Sequence, residues 1–236
     1  MTEIFADRSD DTLVTCFFKD PPAPCGAGTQ PLAPVRPASS PIPPPRFSGA
    51  SVSLRLSRRR IVLHGGYSFV LGRQRTCDIV SPQAAKGDDA ARRRSLKVSR
   101  RHCMILRTDS GWCVRDGEGD GRSSFGTWWN GEALSAPVAF GTVPGMLSLG
   151  GPSAVDSVAF DVCVTGASLL LALRPDAAES HVLLGGETPL DVADAHLAGF
   201  ITFFADGAFH WRRSGDRGVF VPGTRVSGIA GDFWVE

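Results

Sequence analysis

From residue 51 onward the chain is cut into short apolar stretches, each closed by a turn. "SVSLRL" (51–56) alternates, "RIVLHGG" (60–66) stops at paired glycines, and "YSFVLG" (67–72) stops at Gly72. "CDIV" (77–80), "HCMILRT" (102–108), a turn at Asp109 to Gly111, and "WCVRD" (112–116) carry the pattern on. It closes with "WW", "VAF", "MLSLG" and "VAFDVCV". Such stretches are too short for a core-facing helix, whereas this alternation suits half-buried strands. The spacing predicts an all-β sandwich over residues 51–165. Within it, residues 81–97, including "KGDDAARRRS", are charged and small and read as a solvated insertion.

A second, small β-rich segment is expected over 166–236. It carries "HVLLGG" (181–186), "FITFF" (200–204), "FHWRR" (209–213) and "GVFVPG" (218–223). Only "DVADAHLAG" (191–199) suggests a helix. Two readings stay open for this segment. It is a degenerate copy of the first domain, with "GVFVPGTRV" beside "GTWWNGEAL" and "HVLLGG" beside "SFVLGR", or an unrelated β extension packed on that domain. In the first reading Gly186 takes the place of Arg73 and Pro222 that of Asn130, so neither reading supplies a phosphate site there.

Residues 1–50 read as an acidic, then Pro-rich, disordered tail and linker. Residues 1–20 hold five acidic and two basic residues, and ten prolines fall within 21–46. Proline removes backbone donors and clashes with helix, so an extended spacer follows. Thr29, three residues before Leu32 in "TQPL", makes this tail a candidate internal ligand, because a tether raises effective concentration.

Several function classes find no support. The six cysteines form no CxxC pair, and Cys16 and Cys25 lack a second pair, so no metal or cofactor is expected. The histidines show no HExxH spacing, and neither a GxSxG elbow nor a Walker A sequence is present, so no enzyme is expected. The longest apolar run, "ASLLLAL", is far shorter than the roughly 20 residues that span a bilayer. No signal peptide is legible, so no membrane association and a cytoplasmic location are the expectations. The formal net charge is +1, but residues 51–107 contain 14 Lys/Arg against three Asp/Glu. That local excess favours an anionic ligand. Nucleic acid is not the expected one, because the arginine runs 58–60 and 92–94 have no interleaved aromatic platforms.

The ordered set "LGR" (71–73), "DIV" (78–80), "SRRH" (99–102), "RD" (115–116) and "GTWWNG" (126–131) resembles the forkhead-associated (FHA) domain over about residues 52–164. That family is a β-sandwich that binds phosphothreonine peptides through loops at one end. The resemblance implies a non-catalytic phosphothreonine-binding adaptor or signalling module, with a phosphorylated protein, a Ser/Thr kinase or its substrate as partner. It assigns phosphate contact to Arg73, Ser99 and Ser124, with Arg100 and Asn130 as further peptide contacts. Gly72, His102, Asp116, Gly126 and Gly131 become structural supports. A guanidinium suits the first role independently, because its rigid fork can clamp a phosphate. One position departs from the family: Phe125 stands where an asparagine amide holds the peptide backbone. Losing those hydrogen bonds costs about 1–2 kcal/mol unless an apolar peptide side chain packs on the ring. The alternative expectation is therefore an assembly module that has lost phosphate dependence.

Overall fold

The computed structural model describes residues 50–82, 87–174, 178–228 and 232–236. The expected tail and linker up to residue 49, with Cys16, Cys25 and Thr29, lie outside the described residues.

Strands dominate, as the alternation requires. The first half runs through β1 (Ala50–Arg55), β2 (Arg60–Gly65), β3 (Ser68–Gly72), β4 (Ile79–Val80), β5 (Cys103–Thr108) and β6 (Gly111–Asp116). It continues with β7 (Thr127–Trp129), β8 (Glu132–Ala133), β9 (Val138–Ala139), β10 (Gly145–Leu149) and β11 (Val158–Thr165). Then follow β12 (Ser168–Leu173), β13 (Glu179–Leu184), β14 (Thr188–Pro189), β15 (Ile201–Ala205) and β16 (Ala208–Arg213). The chain closes with β17 (Asp216–Val219), β18 (Arg225–Ser227) and β19 (Asp232–Val235).

These strands make three sheets. Ten of them form a central wall in the order β18-β19-β1-β2-β13-β12-β11-β10-β7-β8. A five-stranded sheet, β4-β3-β5-β6-β9, and a four-stranded sheet, β14-β15-β16-β17, pack against it. Alternation along β12 and β13 shows where. Leu169, Leu171 and Leu183 join a core with Phe69, Ile105, Val114 and Phe160, on the five-stranded side. Leu170, Val182 and Leu184 point the other way and join Leu63, Phe200, Phe209 and Phe233, on the four-stranded side. Because successive strand residues face opposite sides, one wall serves two cores.

The expected boundary at residue 165 falls in the turn of hairpin β11–β12, whose strands pair from Phe160–Leu173 to Thr165–Ser168. Strands from both sides of that boundary share the central wall. Hairpins β1–β2 and β12–β13 stand side by side in it, joined by parallel pairing of β2 with β13. β13 lies beside β2, and the Gly-Gly pairs 65–66 and 185–186 stand at the ends of the two strands.

Two local readings also change. The charged insertion contains a helix, α1 (Asp89–Lys97), none of whose residues is buried. Without an apolar face it leaves no periodic trace. It is held by the Asp88 carboxylate accepting from the Ala91 N–H at 2.8 Å, and by Arg94 and Lys97 at its negative end. The helix suggested over 191–199 resolves into two 3-10 turns, Leu190–Val192 and Ala195–Leu197.

Candidate phosphopeptide site

The loops after β3, before β5 and before β7 converge at one end of the first core. Gly72 makes the approach possible: a Cβ there would stand 2.3 Å from the Arg100 carbonyl oxygen. With no side chain in the way, the Arg73 N–H donates to Ser99 O at 3.2 Å and the Gln74 N–H to Arg100 O at 3.0 Å. The loop carrying Arg73 is thus stitched to the loop carrying Ser99. Arg73 itself is exposed, and no ion pair engages its guanidinium among the described residues.

His102 ties this pair of loops to the third. It is fully buried, and its N–H donates to Leu71 O at 2.8 Å. Ring Nδ1 accepts from the Ser99 N–H at 2.9 Å, which leaves the Nε2–H to donate to Gly126 O at 3.0 Å. Burial lowers the pKa of His102, opposed by the Gly126 carbonyl and by Asp116, and the neutral ring fits the one-acceptor, one-donor pattern. Ser99 completes the link, its Oγ accepting from the Ser124 N–H at 3.0 Å.

Asp116 shapes the third loop from beneath. Its Oδ1 accepts from Ser123 Oγ and from Thr127 Oγ1, both at 2.6 Å, and its Oδ2 accepts from the Ser123 N–H at 3.2 Å. Gly126 turns the chain with φ +78°. Its carbonyl also accepts from the Gly150 N–H at 3.0 Å. Ser124 and Phe125 are left facing solvent at the tip, Phe125 55% exposed.

Arg73, Ser99 and Ser124 are therefore brought to one face, with His102, Asp116, Gly72 and Gly126 behind them. Arg100 is exposed on the same loop, while its neighbour Arg101 pairs with Glu118. Asn130 occupies the β7–β8 turn at φ +50°, beside Gly131 at φ +85°. The Asn130 Oδ1 accepts from the Met146 N–H at 2.8 Å, so that oxygen anchors the turn to β10. The partners of Asp116, Ser123 and Thr127, were not singled out by sequence. A hydroxyl in a Ser/Gly-rich loop carries no spacing signal until the carboxylate beneath it is seen.

Among the described residues the Arg73 guanidinium and the Ser124 hydroxyl engage no side-chain partner, and both groups can donate to an anion. Both ring nitrogens of His102 are committed to structure. The FHA domain family model matches residues 69–141. Among solved structures, the crystal structure of Mycobacterium tuberculosis Rv1747 FHA-1 matches at 19% identity, covering 49% of this chain and 95% of that one, with a TM-score of 0.31. No curated protein matches the chain. The loops that carry Arg73, Ser99 and Ser124 fall within the matched residues, and an FHA match implies a phosphopeptide-binding protein-interaction module.

Proposed function

We propose that the chain is a non-catalytic reader of phosphothreonine that brings a Ser/Thr kinase or a kinase substrate into a signalling assembly. The observation that carries this is the lock between three loops: Ser99 Oγ on the Ser124 N–H, with His102 bridging Ser99 and Gly126. It holds Arg73 and Ser124 ready before ligand arrives, which lowers the ordering cost of binding. Residues 166–236 act in this reading as a siteless partner that completes the central wall. Panels of peptides differing only in phosphothreonine, phosphoserine or unmodified threonine test it. Preferential capture of the phosphothreonine set is the expected result, and equal capture of all three sets contradicts it.

A second reading is favoured by Phe125. Its ring, 55% exposed at the tip of the site, replaces an amide with an apolar surface. An assembly module that binds an apolar peptide without phosphate would capture the same sequences whether or not they are phosphorylated.

A further inference from the structure

The four-stranded sheet ends in an open edge. β17 is its last strand, and beyond β16 it pairs with nothing among the described residues. Residues opposite one another in a ladder point to the same side, so the register builds two rows over the outer face. One row holds Phe203, His210 and Val219, and the other Ile201, Arg212 and Arg217. The inner face belongs to Phe204, Phe209 and Trp211, which pack in the second core. Gly218 lies on that inner side, where a Cβ would stand 2.8 Å from the Trp211 ring.

The two rows differ in chemistry. In the first, the Phe203 and His210 rings stack with centroids 5.1 Å apart and planes 7° apart. Phe203 and Val219 belong to neither core, and Val219, at the rim, is 42% exposed. In the second, Arg212 pairs with Glu187. Arg217 is exposed and forms no hydrogen bond or ion pair among the described residues. One row therefore ends at β17 on an apolar side chain and the other on an unmatched cation. The main chain is open at the same two residues. The Phe220 N–H donates to Phe209 O at 2.8 Å, so in the alternating antiparallel pattern Asp216 and Gly218 bond toward β16. Arg217 and Val219 then turn their N–H and C=O groups to the edge.

We propose that this edge receives an extended segment of another protein as a fifth strand, one carrying an apolar residue followed two positions later by an acidic one. Paired antiparallel, the segment sets its apolar side chain opposite Val219 and its carboxylate opposite Arg217. Both rows are extended while the added main chain fills the open ladder. A second copy of this chain is a poorer match. Two-fold antiparallel pairing keeps opposite residues on one face, so Arg217 of one copy meets Arg217 or Val219 of the other. Asp216 lies on the opposite face from Arg217 and supplies no carboxylate there.

Heteronuclear NMR of the full chain tests this with three short threonine-rich peptides. The first carries isoleucine followed two positions later by glutamate, and the second has glutamine in place of the glutamate. The third is the first N-methylated at the isoleucine and glutamate amides, the ones that face β17. The glutamate peptide is expected to shift the amide signals of Arg217 and Val219 saturably, and to bind about threefold tighter than the glutamine peptide at low salt. The N-methylated peptide should not bind, because it cannot donate to the ladder. R217E should reverse the charge preference, favouring lysine in place of the glutamate. Its circular dichroism should match wild type, since Arg217 packs in neither core. Absence of a saturable shift, equal binding of the glutamate and glutamine peptides, or binding that survives N-methylation overturns the proposal. So does a concentration-dependent shift of β17 without peptide, which would identify a second copy as the occupant. No probe contains phosphothreonine, so the outcome is independent of the phosphothreonine reading.

Discussion

His102 shows how much a single side chain can organise. Its backbone N–H bonds to β3, Nδ1 holds the Ser99 backbone and Nε2 holds Gly126, all without contact with solvent. Replacing it with alanine strands the Ser99 N–H and the Gly126 carbonyl around a cavity. H102A is expected to lose about 1–3 kcal/mol of stability and to weaken phosphopeptide binding as well, read by thermal melting and by titration. An unchanged melting temperature with binding alone lost would place the ring in the ligand shell instead. Gly72 is constrained as tightly: with Arg100 O at 2.3 Å from its absent Cβ, any side chain pushes the Arg73 and Ser99 loops apart.

At the level of elements, the seam between β2 and β13 carries a buried polar chain. His64 Nε2 lies 3.0 Å from His181 Nδ1, and His181 Nε2 lies 3.3 Å from Glu179 Oε1, with Arg60 beside Glu179. A proton on His181 Nε2 directed at Glu179 leaves Nδ1 to accept from the His64 Nε2–H. The remaining ring nitrogen, His64 Nδ1, is buried with no partner among the described residues. Burial first, then the neighbouring His181 and Arg60, hold the His64 pKa well below its ordinary 6.5. The unfolded chain therefore takes up a proton that the folded chain refuses, and stability falls as pH drops below about 6.5. His102, also lowered, adds in the same direction. The melting temperature should decline from neutral to mildly acidic pH, and H64L should flatten that decline. An H64L profile parallel to wild type would exclude His64 as a source. Most of these strands are legible in the sequence because each alternates between a core and the other face. Several are not, β18 and β19 among them, and two elements fail for opposite reasons. Helix α1 has no apolar face to announce it, whereas β12 is apolar on both faces because it serves both cores. No local pattern in "SLLLAL" tells which neighbour it takes in the sheet.

For the whole molecule, the shared wall makes the candidate phosphopeptide site depend on residues far beyond those matched to the FHA family model. Leu171, fully buried, packs in the first core some thirty positions past residue 141. L171A is expected to cost about 2–5 kcal/mol, and calorimetry of the full chain should show one cooperative transition that this substitution lowers. Two separate transitions, with only one moved, would contradict a common wall. The candidate site residues stand out in the sequence because they sit in short contiguous motifs, "LGR", "SRRH" and "SSFGT", each on one loop. Their mutual hydrogen bonds do not, since the bond from Ser124 to Ser99 spans 25 positions and only the folded sandwich closes that distance.

The proposed phosphate contact turns on Arg73, which is exposed, forms no ion pair among the described residues and is held in place by its own backbone rather than by its side chain. The most direct measurement is a titration of wild type and R73A with one phosphothreonine peptide and its unphosphorylated twin, by isothermal calorimetry. Wild type is expected to prefer the phosphorylated form, and R73A to lose at least about tenfold in affinity for it, the worth of a charge-assisted phosphate contact. Melting of R73A should match wild type. Equal affinity of wild type and R73A for the phosphopeptide would contradict that contact.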